Sequence, residues 1–174
     1  LVCDRCLKRK DIEKFLSCSV KPREKYRNMY TVIHTSGSCG TLSLFVYGPE
    51  DWAVIKAFVV ARVIKPVPHF YKRIKVSFIG ATDGHYAGIS LASEVPPLYG
   101  RFLPLSINSP LETIDRRCNA FHPDVLSGYS SGVHLLSKEQ LKGNVTIKPQ
   151  RIICTSDPLT REMRDIIKKA FGRE

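Results

Sequence analysis

Two cysteines near the start of the chain have a spacing that could serve metal chemistry. Cys3 and Cys6 form a C-x2-C pair, which is half of a common structural zinc site. The remaining ligands would have to come from Cys18, His34 and Cys39, and their spacing is irregular. Thiols without a metal, kept reduced inside a cell, are the simpler interpretation. We therefore expect no cofactor and no metal, with Cys3 and Cys6 as the remaining metal candidates.

A second motif could recruit a protein partner. Pro96, Pro97, Leu98 and Tyr99 match the P-P-x-Y pattern that WW domains bind, because the prolines favour an extended helix that docks in an aromatic groove. A proline-rich connection between two strands explains the same residues more simply. The candidate WW-domain ligand is therefore Pro96, Pro97 and Tyr99, and it requires an exposed loop.

Signatures of catalysis are missing from the sequence. No serine lies in a G-x-S-x-G motif, and neither a G-x-x-x-x-G-K-[ST] loop nor a G-x-G-x-x-G loop occurs. The five histidines are scattered and form no H-E-x-x-H pair. We expect from this that the protein is not an enzyme and has no catalytic residues.

Basic residues dominate the charge. Lysine and arginine number 27 against 16 aspartate and glutamate, a net charge of +11, which favours nucleic acid, anionic lipid or acidic protein as partner. The predicted membrane-binding or polyanion-binding residues are Lys8, Arg9, Lys10, Lys14, Lys21, Arg23, Lys25 and Arg27. A secondary basic surface is predicted at Lys72, Arg73, Arg161, Arg164, Lys168 and Lys169. Each base near an anionic surface contributes about 1 kcal/mol. Phosphates on RNA would attract the same bases, so charge alone does not separate lipid from RNA.

The elements that must position these residues begin with a basic, partly ordered arm over residues 1–27. Strands are predicted at residues 29–34 and 41–47, joined as a hairpin by the turn-rich connection 35–40. A central helix is predicted at about 49–64, because Pro49 suits the first helical position and two carboxylates follow in the first turn.

The rest of the chain predicts further strands and a closing helix. Strands are expected at residues 69–80, 85–92, 101–107 and 144–154, with a long loop near 108–131. A C-terminal helix is expected at about 158–171, with Asp157 as its N-cap and Pro158 as its first residue. With 43% apolar residues, residues 28–174 can form a single globular α+β domain, in which a mostly antiparallel sheet packs against the two helices. No apolar run is long enough to span a bilayer and no signal peptide is recognisable.

The order of these features resembles that of rhabdovirus matrix proteins, in particular those of plant-infecting rhabdoviruses. The resemblance covers residues 28–172 in outline. It rests on the basic arm, the strand pair 29–33 and 42–47, the helix 51–55, the strand 70–80, the strand 143–147 and the closing helix 161–171. In that family the P-P-x-Y motif lies in the N-terminal arm, whereas here it lies inside the folded region. The C-x2-C pair is no part of the family pattern.

The resemblance implies a structural role. A matrix protein self-associates and bridges the ribonucleoprotein core to the inner face of an anionic membrane during assembly and budding. The expected partners are further copies of the chain, the viral nucleoprotein–RNA complex, anionic lipids and host WW-domain proteins. The expected location is the virion beneath the envelope, with host cytoplasm, inner membrane surfaces and the nucleus as further sites. The alternative is a viral nucleic-acid-binding regulatory protein, either a silencing suppressor or a transcription regulator.

Overall fold

A computed structural model describes residues 6–35, 42–63, 73–94 and 100–172. Within these ranges lie six helices and six strands. Backbone contacts divide the chain into two compact units. The first unit is Leu1–Pro68 with Asp83–Glu94, and the second is His69–Thr82 with Val95–Glu174. The chain therefore leaves the second unit after its first strand and returns to it to complete the sheet.

The first unit contains a helical entry, a two-stranded sheet and two further helices. Its elements are α1 Arg9–Cys18, β1 Thr31–His34, β2 Leu44–Tyr47, α2 Pro49–Val63 and α3 Ala87–Ser93. The two strands pair in antiparallel register, with Thr31 opposite Tyr47 and His34 opposite Leu44. The predicted hairpin is confirmed, as is a helix near 49–64.

Residues from the predicted N-terminal arm form part of this unit's core. Ile12 of α1 packs with Tyr26 and Val32 in one buried cluster. The Phe15 ring lies edge-on to the Tyr26 ring, with 5.6 Å between their centroids. A basic sequence can therefore still bury one apolar stripe, because only the residues at helical spacing need to be apolar.

The second unit is built around a parallel sheet. Its strands are β3 Ile74–Gly80, β4 Gly100–Ser106, β5 Val125–Tyr129 and β6 Arg151–Thr155, in the spatial order β4-β3-β5-β6. Val76 of β3 lies opposite Phe102 on one side and Val125 on the other. The helices of this unit are α4 Leu111–Phe121, α5 Ser130–Lys142 and α6 Arg161–Phe171.

The core of the second unit lies between one face of the sheet and these three helices. Alternate residues of the strands point to that face, as the period of two requires. The buried members are Ile79, Leu105, Ile114, Cys118, Leu126, Val133, Leu136, Val145, Ile147 and Ile167. Burial of each aliphatic side chain of this size contributes about 1.5–3 kcal/mol, so this cluster is the main stabilising element of the unit.

Several predictions of structure are wrong. The larger sheet is parallel, where a mostly antiparallel sheet was expected. Residues 85–92, predicted as a strand, lie largely in α3, Ala87–Ser93. The predicted loop at 108–131 consists mainly of α4 and β5. The boundary between an arm at 1–27 and one domain from 28 onward stays a prediction.

The start of the C-terminal helix also differs from the prediction. α6 begins at Arg161, and the Thr160 side chain caps it by accepting a hydrogen bond from the Met163 backbone N–H, 3.2 Å away. Asp157, the predicted N-cap, caps another helix instead. The prediction was based on local sequence: an aspartate followed by a proline favours the start of a helix. This pattern does not show which helix the aspartate contacts in the folded protein.

Candidate functional site

The strand order of the second unit marks one place as a candidate ligand site. β3 lies between β4 and β5, so the connections that follow β3 and β4 leave the sheet in opposite directions. In parallel sheets, ligands bind outside the carboxyl ends of the strands at such a switch point. Here those ends bring together Gly80, residues 128–130 and residues 155–157, which we call the carboxyl edge.

Two glycines allow the strands to approach closely at this edge. A Cβ atom on Gly80 would lie 2.9 Å from the Tyr129 ring, and one on Gly128 would overlap the Ile79 carbonyl oxygen. Gly128 also has a φ of +149°, which side chains rarely tolerate. Tyr129 packs edge-on to Phe78, with 6.2 Å between ring centroids. The half-buried Tyr129 ring therefore lies directly over the Gly80 backbone at the switch point.

The turn after β6 completes the edge. The Asp157 backbone N–H donates to the Thr155 carbonyl over 2.9 Å, which closes a γ-turn around Ser156. Ser156 has a φ of +73°, and a γ-turn of this hand is strained. The Thr155 hydroxyl donates to the Gly128 carbonyl at 3.2 Å and ties the turn to β5. Strain of about 1–3 kcal/mol in such a residue persists only where surrounding contacts hold it.

Asp157 links this turn to the start of α5. Its carboxylate accepts the Ser130 N–H on one oxygen and the Ser131 N–H, at 2.9 Å, on the other. Its backbone carbonyl accepts the Ser130 hydroxyl at 2.9 Å. Burial acts to raise the pKa of Asp157, but the hydrogen bonds donated by Ser131 and Ser130 outweigh it and hold the pKa below its ordinary value. At neutral pH a negative charge therefore occupies the N-terminus of α5.

The cysteines of this unit are poor nucleophiles. Burial, with a smaller contribution from Asp115, raises the pKa of the Cys118 thiol to about 12. Burial also raises the pKa of Cys154, with Asp157 acting in the same direction. Both thiols remain protonated at neutral pH, and the thiolate is the reactive form. Covalent catalysis by these cysteines is therefore disfavoured.

A buried serine–histidine pair lies in the first unit. Ser19 Oγ and His85 Nε2 are 2.8 Å apart, and both residues are at most 4% exposed. The same hydroxyl donates to Glu24 at 2.7 Å, so it has no proton left for the histidine and must accept from Nε2–H. Burial, followed by the charge on His34, lowers the pKa of His85. These hydrogen bonds hold the segment that contains Ser19 against His85. They do not make the Ser19 hydroxyl a nucleophile.

A polar groove of about 770 Å³ lies between α4 and the end of α5. Asp115 lines it, and its Oδ1 is a buried acceptor without a hydrogen-bond partner. Burial, then the charge of Glu139, raises the pKa of Asp115. Glu139 is bound by Lys142 at 2.8 Å and Asn144 at 2.6 Å, and these bonds lower its pKa. Across the described ranges, no three Asp, Glu, His or Cys side chains could together hold a metal ion.

Some of the predicted polyanion-binding residues make contacts within their own unit. Arg9 forms an ion pair with Glu13 at 2.7 Å and donates to the Leu42 carbonyl. Arg23 donates to the Ser93 carbonyl. The Arg27 guanidinium lies 5.2 Å from the centroid of the Tyr26 ring. Of the other five, Lys8 lies just before α1, Lys10 and Lys14 lie on α1, and Lys21 and Lys25 lie in the segment that follows it. Their predicted role stays a prediction.

The secondary basic surface is spread over separate elements. Arg161, Arg164 and Lys169 are exposed on α6, and Lys168 is half-buried on the same helix. Arg73 is exposed just before β3. The following predicted site residues lie outside the described residues: Cys3, Lys72, Pro96, Pro97 and Tyr99. Cys6 is exposed. Among the described helices, none combines the length and apolar character that crossing a bilayer requires.

The residues of the carboxyl edge were not predicted as a site. Gly80 and Gly128 carry the available signal, because a glycine at the end of an apolar strand often marks close approach of a backbone or ligand. Their juxtaposition depends on the parallel pairing of β3 with β5, which the sequence did not reveal.

Comparison by sequence finds no relative. No protein-family model matches the chain, and no curated protein matches it either.

Comparison by structure finds solved structures with a similar fold. 2-Hydroxyisobutyryl-CoA ligase in an open conformation, in complex with 2-HIB-AMP and CoA, matches 86% of this chain with a TM-score of 0.62 and 16% identity. The same ligase in its thioesterification state matches 83% with a TM-score of 0.62 and 18% identity. VinN matches 81% with a TM-score of 0.51 and 16% identity. The chain spans only 35%, 31% and 33% of the chains in these three structures.

These likenesses overturn the predicted identity. The fold is shared with 2-hydroxyisobutyryl-CoA ligase, so the resemblance to rhabdovirus matrix proteins is wrong. The structural role in virus assembly and the alternative of a viral regulatory protein are contradicted on the same ground. The expectation that the chain is not an enzyme is likewise contradicted, because the fold is one that enzymes use. The predicted family rested on the order of helices and strands along the chain, and that order does not show how the strands pair.

Proposed function

We propose that this chain is the nucleotide-binding part of an adenylate-forming enzyme of the acyl-CoA ligase type. In such a reaction a carboxylate oxygen attacks the α-phosphorus of ATP. The new P–O bond gives an acyl-AMP, and the bond to the departing pyrophosphate breaks. The observation that carries the proposal is the fold shared, over 83–86% of this chain, with a ligase that holds an acyl-AMP.

The carboxyl edge supports this proposal. It offers a half-buried aromatic ring, Tyr129, over a glycine backbone, and polar groups from the turn at Ser156. Such a surface suits one face of a planar base or ribose, because aromatic rings stack on nucleobases and hydroxyls orient sugars. A strained serine at the same point is typical of a functional turn.

The phosphates need donors elsewhere, because Asp157 already neutralises the N-terminus of α5. The carboxylate substrate and the thiol acceptor belong to the whole ligase reaction and stay proposals.

The first test is equilibrium binding of AMP and ATP to the purified chain by calorimetry. We expect both to bind, and we expect Tyr129→Leu to weaken AMP binding roughly tenfold, a loss of about 1.4 kcal/mol. The matched control is Phe121→Leu, another exchange of an aromatic ring for leucine in the same unit, which should leave AMP binding unchanged. Absence of nucleotide binding, or equal loss in both variants, would contradict the proposal.

The second test asks for chemistry. Carboxylate-dependent exchange of labelled pyrophosphate into ATP reports acyl-AMP formation directly, because exchange requires the reversible adenylation step. We expect exchange with a small hydroxy acid or another short carboxylic acid, and none when the carboxylate is omitted. Exchange that is independent of carboxylate would contradict adenylate formation as the activity.

A further inference from the structure

The N-terminus of α5 is filled by a side chain from a distant part of the chain. The first N–H groups of any helix have no partner within that helix, and they mark its positive end. In α5 the N–H groups of Ser130 and Ser131 both point to Asp157, which lies 27 residues beyond Ser130. Two oxygens receiving two N–H groups make a bidentate, charge-assisted arrangement, which is stronger than a neutral cap.

Asp157 is not needed where the sequence would place it. α6 has its own cap, Thr160, so the Asp157 carboxylate contributes nothing to the start of the helix that follows it. Its carboxylate instead accepts the N–H groups of Ser130 and Ser131 at the start of α5, and the Ser130 hydroxyl donates to the Asp157 backbone carbonyl. These bonds fasten the β6–α6 turn to the β5–α5 junction.

The strained turn depends on this fastening. Ser156 keeps its φ of +73° between Thr155, which is tied to Gly128, and Asp157, which is tied to α5. Release of either anchor would let Ser156 relax to negative φ, since nothing local favours the left-handed conformation for serine. Two contacts therefore fix the position of the turn beside Tyr129: those of the Asp157 carboxylate on one side and that of the Thr155 hydroxyl on the other.

We propose that Asp157 is a positioning residue of the carboxyl edge: it supplies the anion at the N-terminus of α5, thereby fixes the 155–157 turn, and keeps ligand phosphates away from that helix end. The part that concerns ligand phosphates rests on the proposed function. The part that concerns the turn does not.

The direct test is rescue by an added carboxylate. Asp157→Ala removes the anion and leaves a space beside the two serine N–H groups. We expect its Tm to fall by about 3–6 °C, the scale of a lost helix cap in a chain of this size. Sodium formate should restore part of the loss, whereas sodium chloride at equal ionic strength should not. Asp157→Asn, which keeps one acceptor oxygen, is the milder variant if the alanine variant does not fold.

Two controls define the result. Wild-type protein and Asp165→Ala, which alters an exposed aspartate on α6, should respond equally to formate and chloride. If formate and chloride also act alike on Asp157→Ala, the carboxylate has no specific place at α5 and the inference fails. Asparagine leaves no space for formate, so Asp157→Asn is tested by its Tm alone, and a Tm equal to that of the wild type at neutral pH would also overturn the inference.

Ligand binding separates this inference from the proposed function. In Asp157→Ala we expect AMP to bind roughly tenfold more weakly and inorganic pyrophosphate to bind more tightly, because the helix end is vacant. Formate rescue without any nucleotide binding by the wild type would overturn the proposed function and leave the turn contact supported. Unchanged AMP and pyrophosphate binding in a variant that formate rescues would overturn the ligand part alone.

Discussion

The two ends of the parallel sheet each carry an aspartate that accepts backbone N–H groups, yet the backbones around them differ. At the amino ends, which we call the amino edge, Asp124 accepts the Lys75 N–H at 2.9 Å. Lys75 and Arg101 lie 5.9 and 5.8 Å from the centroid of the Phe121 ring. These cations lie at the end of α4, where the helix dipole favours positive charge.

Left-handed residues serve different purposes at the two edges. At the amino edge His122, with a φ of +48°, ends α4 as an ordinary helix cap. At the carboxyl edge Ser156 ends no helix, and Gly128 has its positive φ within a strand. The amino edge is therefore explained by stability alone, whereas the carboxyl edge stores strain where parallel sheets bind ligands.

The largest loss of stability is expected when a side chain is added at Gly128, at the carboxyl edge. Gly128→Ala would place Cβ 2.8 Å from the Ile79 nitrogen and force an unfavourable φ, so we expect a loss of about 4 kcal/mol or no folding. Gly143→Ala is the matched control, because its φ is +86° but its Cβ would meet nothing within 4 Å. We expect about 1–2 kcal/mol there. Urea unfolding measures both, and equal losses would show that crowding at β3 is unimportant.

Acid should weaken the contact that holds the carboxyl edge. The pKa of Asp157 is lowered in the folded protein, so its carboxylate stabilises the fold above the ordinary aspartate pKa of about 3.9. That contribution is lost as pH falls through the lower folded value. The difference in Tm between wild type and Asp157→Asn should therefore be constant near neutrality and shrink below about pH 4. A difference that persists unchanged at lower pH would contradict the assignment.

A substitution at the amino edge should change the stability of the protein without changing ligand binding. Phe121→Leu keeps apolar bulk and removes the ring beneath Lys75 and Arg101, so we expect a loss of about 1 kcal/mol. The loss should be smaller at high salt, and urea unfolding at two salt concentrations measures it. An effect on AMP affinity as large as that of Tyr129→Leu would remove the functional distinction between the two edges.

The smallest expected effect comes from relieving the strained turn. Ser156→Gly adopts positive φ without strain but loses more entropy on folding, so stability should change by less than about 1 kcal/mol. Ser156→Val should be clearly less stable, because a β-branched residue is a poor occupant of that conformation. Thermal unfolding compares the pair. Equal stabilities would indicate that the turn does not hold its left-handed conformation in solution.

Local signals in the sequence determined a limited part of the fold. Pro49 followed by two carboxylates marks the start of α2, and the alternating residues of 41–47 mark the second strand of the hairpin. Both elements depend on neighbouring residues only, through capping, fixed φ and side-chain period. The amphipathic stripe around Ile167 likewise predicted the body of α6, though not its first residue.

Tertiary structure alone decided how the strands pair and where the site lies. β3 joins β4 and β5 in parallel, and such pairing depends on contacts between residues far apart in sequence, which no local period encodes. Asp157 shows the same limit at one residue: its sequence context predicts a cap for α6, yet the fold brings it to α5. The sequence by itself determined which residues can cap, turn or alternate. Only the packed chain decided which partners they meet, because that choice is made by long-range burial and hydrogen bonding.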